Sequence, residues 1–143
     1  MRRSAFTAMV LAVFTVLFYA FEAHAIGITP EMAAAFAKEP PLTQKDINAF
    51  IKFAPEMQLK DDGTVNTSPI TRAGLSEMRG SYVMIKLPFA YAMAADPDQG
   101  AMLMQLTQAP ASLKPSTAEI NLIKKNFDAL SKAMGVPPGL LQR

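Results

Sequence analysis

Beyond the first 25 residues, apolar residues crowd most densely between positions 76 and 95, in the stretch SEMRGSYVMIKLPFAYAMAA. Ser76 suits a helix N-cap, and Glu77 suits the positive end of the first turn. Helical geometry puts Met78, Tyr82, Ile85, Phe89 and Met93 on one stripe. Val83, Leu87 and Tyr91, with Met84 beside them, form a second stripe on roughly the opposite side. Between positions 80 and 95 the only charge is Lys86. A helix that is apolar nearly all round is a buried helix, so this stretch is the element on which the others pack. Pro88 removes one backbone hydrogen bond and crowds the carbonyl of Met84, which predicts a kink. A strand pair is the rival reading, but no turn signal precedes Asp96, and the length and the alanines of 90–95 favour a helix.

Elsewhere the pattern is amphipathic. Thr29-Pro30-Glu31 starts a short helix that runs to about Lys38 and ends at Pro40-Pro41. Thr43 caps a second helix, with Asp46 completing an approximate capping box. Ile47, Phe50, Ile51, Ala54 and Met57 form its inner face, and Lys45, Asn48, Lys52 and Glu56 its outer one. Pro55 bends it or starts a new turn. Residues 59–68, LKDDGTVNTS, read as a loop with a turn at Asp62-Gly63. Ser68 then caps a short helical turn, which Gly74 ends. Asp96-Pro97 opens a helix through Met102, Leu103 and Leu106 to about Gln108, and 109–115 is a connector. Ser116 and Glu119 form a capping box for a final helix, with Ile120, Ile123, Phe127, Leu130 and Met134 along one stripe. Gly135 and Pro137-Pro138 stop it, and Leu140 and Leu141 in the tail are candidates for docking back on the core. The expected fold is all-α: a small antiparallel helical bundle of four main helices plus short ones around a buried central helix.

The first 25 residues change what the composition means. Arg2 and Arg3 precede an uncharged apolar run over 4–21, and Ala23-His24-Ala25 fits a small-x-small cleavage site. Residues 1–25 are therefore expected to be a signal peptide cut after Ala25, and 26–143 a single helical domain. An uncleaved N-terminal membrane anchor is the alternative. Of the 14 basic residues Arg2 and Arg3 would be lost, leaving 12, and of the 12 acidic ones Glu22, leaving 11. That near balance offers no nucleic-acid footprint. The mature chain is expected to be exported, periplasmic or secreted, and not membrane-spanning. With no cysteine it holds itself together by packing alone.

Cleavage also removes His24, the one histidine. Ser-His-Asp triads, Cys-His pairs, and zinc or haem sites built on His or Cys are then excluded. No GxGxxG, P-loop or GxSxG motif occurs. Glu31, Asp46, Glu77, Asp96 and Glu119 stand at helix starts, where capping explains them better than glycosidase-type pairing. Residues 61–66, DDGTVN, lack the alternating acids of a calcium loop. Met102 and Met104 lie about 200° apart on a helix and cannot chelate copper together. Lys86 is expected to lay its stem along the core and reach water with its head. Phe50, Tyr82, Phe89, Tyr91 and Met93 are candidates for lining an apolar ligand pocket, with core packing as the alternative. Lys124, Lys125 and Lys132 form a solvated face open to an acidic partner or lipid headgroups. No catalytic residue, cofactor or metal is assigned. The expected function is a non-catalytic interaction or binding module of the cell envelope, its partner an envelope protein. The alternative is a carrier of a lipid or other apolar molecule.

Overall fold

Capping side chains and prolines decide where the helices begin. The computed structural model describes residues 29–57 and 66–136. These form seven helices: α1 (Pro30–Ala37), α2 (Gln44–Phe53), α3 (Ser68–Arg72), α4 (Glu77–Ala95), α5 (Pro97–Leu106), α6 (Thr117–Lys125) and α7 (Phe127–Ala133). Two 3-10 turns, Ala54–Glu56 and Ala111–Leu113, join them, and no strand occurs among the described residues. The segment 1–25, residues 58–65 of the expected loop region, and the tail with Pro137, Pro138, Leu140 and Leu141 lie outside the described residues.

Thr29, Thr43, Ser76, Asp96 and Ser116 each cap a helix by accepting a backbone N–H from the first turn. Asp96 also ends α4, so a single residue turns the chain from α4 into α5. The expected cap at Ser68 is displaced. Ser68 is the first residue of α3, and its N–H donates to Asn66 Oδ1 at 3.1 Å, a local side-chain turn that starts the helix instead. Gly74 and Gly135 take the left-handed conformation just past α3 and α7, with φ of 92° and 72°. Gln108 does the same after α5 at φ 51°, without the freedom that glycine brings.

The largest departure from the sequence pattern is the final helix, expected to be single. It breaks at Asn126, whose backbone leaves the helical region at φ −111° and ψ 15°. The Asn126 side chain donates to the carbonyl of Leu122 at 2.9 Å and to Gln44 Oε1 on α2 at 3.0 Å. An amide that bonds its own backbone competes with the helix at that point. The break also shifts the inward positions. Glu119, Ile123 and Leu130 are buried, while Ile120, Phe127 and Met134 are half-buried.

Every residue of α4 from 82 to 92 is buried. This helix packs against α2, α3, α5, α6 and the Ala111–Leu113 turn. Pro88 lies inside α4 and does not end it. Met78, placed by its spacing on a core stripe, is 46% exposed. Phe36, Ile47, Phe50, Phe53, Ile70 and Leu113 join the α4 side chains in one core. Phe53 was not on the expected inner face of α2. The buried set there also includes Asp46 and Ala49, a face rotated from the one the apolar spacing marks.

Candidate functional site

Two capping carboxylates serve a second purpose. In each capping box the acid at the third helical position reaches back to the N-cap N–H. Asp46 Oδ2 accepts the N–H of Thr43 at 2.8 Å, and Glu119 Oε1 accepts the N–H of Ser116 at 2.9 Å. Both acids are buried, each 3% exposed, and both face α4. Each meets a cation there.

At the first meeting point, Arg79 donates from Nε to Asp46 Oδ1 at 3.0 Å and from Nη2 to Asp46 Oδ2. This is the two-pronged pairing that the planar guanidinium favours. The same side chain donates to Glu39 Oε2 at 3.1 Å, to the carbonyl of Pro40 at 2.7 Å and to that of Pro41 at 2.9 Å. A pair of prolines has carbonyls to satisfy and no N–H with which to bond its neighbours. Arg79 meets that need. Burial alone would raise the Asp46 pKa and is the largest single effect on it. The bonds from Arg79 and from the Thr43 backbone and hydroxyl outweigh burial together, so the carboxyl lies below its ordinary value. Arg79 is raised in turn, chiefly by its bond to Asp46.

At the second, Lys86 Nζ lies 2.9 Å from Glu119 Oε2 and donates to Tyr82 Oη at 2.7 Å. Glu119 Oε2 also accepts the N–H of Leu42 at 2.8 Å. The expectation that Lys86 reaches water is overturned, since the residue is 5% exposed. Its ammonium stops at a carboxylate inside the protein, because α6 brings Glu119 within its reach. Burial again raises the Glu119 pKa most strongly. The N–H groups of Leu42 and Ser116, and then Lys86, reverse the effect and leave the group below its ordinary value. A carboxylate so held is a weak base, and its paired ammonium is no free nucleophile.

Tyr82 lies between the two centres. Its ring has Arg79 Cζ at 5.0 Å and Lys86 Nζ at 5.2 Å from the centroid, and Phe36 of α1 packs on it at 5.6 Å. The chain from Glu39 to Thr43 crosses both centres. Pro40 and Pro41 are bonded to Arg79, and Leu42 to Glu119. Polar contacts thus tie α2, α4 and α6 and the strap before α2 into one network.

Of the candidate pocket residues, Phe50, Tyr82, Phe89 and Tyr91 belong to the one buried core. Tyr82 belongs to the charged network. Phe50 packs edge-on against Phe53 at 5.4 Å. Tyr91 stacks on Phe127 of α7 at 4.6 Å, and its hydroxyl lies 2.6 Å from Ser131 Oγ. Burial, with help from the charge of Asp128, raises the Tyr91 pKa against the opposing bond from Ser131. Phe89 is buried, and Met93 is half-buried against Gly100 of α5. Lys124, Lys125 and Lys132 are exposed, as expected.

Sequence reasoning missed Arg79 and the inward roles of Asp46 and Glu119. One signal was present: Arg79, Tyr82 and Lys86 fall at i, i+3 and i+7, on one side of α4. Among the described residues no group of three or more His, Cys, Asp or Glu is placed to hold a metal ion. No helix among them is long and apolar enough to cross a membrane. Compared with protein families, curated proteins and solved structures, the chain matches none.

Proposed function

We propose that the chain is an exported small helical protein acting as a non-catalytic interaction or binding module of the cell envelope. Its working form is residues 26–143, folded as a small antiparallel bundle around α4. The observation that carries this reading is the use made of the buried charges. Asp46, Lys86 and Glu119 are the buried charged residues among those described, and each is committed to a helix cap, an ion pair or both. A scaffold whose internal charges hold helices together leaves recognition to its surface. The apolar run over 4–21 and the Ala23-His24-Ala25 site support export.

The test is native mass spectrometry of the protein recovered from the envelope fraction of its own host, with crosslinking before extraction. A mass beginning at Ile26 and a stoichiometric crosslinked complex are the expected results. A full-length mass replaces export by N-terminal anchoring. A hydrophobic molecule carried in fixed ratio replaces the module by a carrier.

A further inference from the structure

The outer faces of α2, α6 and α7 carry lysines without two of the three acids that accompany them in sequence. Lys45, Lys52, Lys124, Lys125 and Lys132 are exposed, and none forms an ion pair with another described residue. The same helices contain Asp46, Glu119 and Asp128. Asp46 and Glu119 are turned inward, where cations of α4 neutralise them. Asp128 alone of the three is exposed. The surface of these helices therefore shows five positive side chains against one negative, and Glu56 in the turn that follows α2 is paired with Arg72, although the chain as a whole is nearly balanced.

Packing brings these helices together. Gln44 and Asn126 exchange two side-chain hydrogen bonds, at 2.9 and 3.0 Å, which ties the start of α2 to the junction of α6 and α7. α2 also packs directly on α7. Lys45 follows Gln44, and Lys124 and Lys125 precede Asn126, so lysines adjoin the bridge from both sides. Lys52 lies about two turns beyond Lys45 on the same side of α2.

We propose that this face docks the protein on an anionic phospholipid surface, a partner class that deepens the interaction-module reading and rests on it. The chemistry selects the partner. All five cations are lysines, hydrated point charges suited to diffuse attraction by headgroups. Arg79 and Arg72, whose planar forks suit directional pairing with a carboxylate, are engaged with Asp46 and Glu56. Among the described residues the exposed large apolar side chains are Met78, Met102 and Leu106, none of them a platform for stacking nucleobases.

The experiment is sedimentation of the chain beginning at Ile26, which keeps every described residue, with vesicles of phosphatidylcholine alone or mixed with phosphatidylglycerol. Binding only to the mixed vesicles is expected, and it weakens steeply as the screening length falls to about 3 Å near 1 M salt. At about fivefold per lysine, K45Q/K124Q/K125Q loses about a hundredfold in partitioning. The substitutions are all at the surface, and circular dichroism confirms the fold. K38Q/K114Q, at the end of α1 and in the connector before α6, retains binding to within tenfold. Failure to bind mixed vesicles overturns the proposal, as does an equal loss in the two variants. Capture of an acidic protein through the same lysines, without vesicle binding, overturns the lipid partner and leaves the interaction module standing.

Discussion

The two ends of α4 are held in different ways. From Arg79 to Lys86 charge is added to packing: two cations, two capping acids and a strap of chain whose polar groups they satisfy join a helix backbone that lies close against Ile70 of α3 at Gly80. From Leu87 onward it is fixed by shape. At Gly100 an added Cβ would lie 2.7 Å from both the Cα and the N of Met93, so the backbones of α4 and α5 nearly touch. Tyr91 lies flat on Phe127, at an interplanar angle of 3°. The charged half depends on keeping its partners ionised, whereas the packed half depends on volume. A buried ion pair gains little over a good apolar replacement, but removing one partner strands the other.

The largest effect is expected at Glu119. Glu119→Ala removes a cap and leaves the Lys86 ammonium unpaired, which costs about 3–5 kcal/mol, read from the urea midpoint. If the loss stays near 1 kcal/mol, as for a cap alone, Lys86 has found water and the contrast fails. The same carboxylates make this half acid-sensitive. Their folded pKa values are depressed, so their contribution is fully present above the unfolded values, near 4, and is lost as pH falls through the folded ones. Hydrogen exchange in acid is therefore expected to open the 39–46 and 79–86 segments before 87–95.

Arg79→Lys keeps the charge and loses the fork. A cost of about 1.5–3 kcal/mol is expected, because one ammonium cannot serve Asp46, Glu39 and two proline carbonyls together. A neutral result would show that the charge suffices without the geometry. In the packed half, Gly100→Ala forces α5 away from α4 and is expected to cost about 1–3 kcal/mol with no dependence on pH between 4 and 8, the range over which the carboxylates stay ionised. The smallest effect belongs to Tyr91→Phe, about 1 kcal/mol for the hydroxyl bond to Ser131. The Tyr91 pKa is raised on folding, so its contribution is present below about 10 and lost as pH rises through the folded value. The phenylalanine variant is thus expected to lose stability less steeply in alkali than the parent, as followed by circular dichroism. Acid sensitivity at one end of α4 and alkaline sensitivity at the other would sharpen the contrast.

The helical class, the caps at Thr29, Thr43, Ser76, Asp96 and Ser116, and the burial of the 82–92 run were legible in the residues alone. These are local matters: a cap is closed within three residues, and an all-apolar helix has nowhere to go but inside. The rest depended on how the helices pack. Asp46 and Glu119 have complete local explanations as capping acids, so nothing in their own neighbourhoods marks them as counter-ions. Lys86 looked able to reach water because its destination depends on Glu119 of α6, which lies 33 residues further along the chain. Asn126 breaks a helix that its apolar spacing would have continued, because its side chain finds the Leu122 carbonyl and, from another helix, Gln44. The charge balance of the chain was likewise legible, but its separation into buried acids and exposed lysines was not. Which ionic groups meet is set by how helices distant in sequence pack, and no spacing along one helix records that.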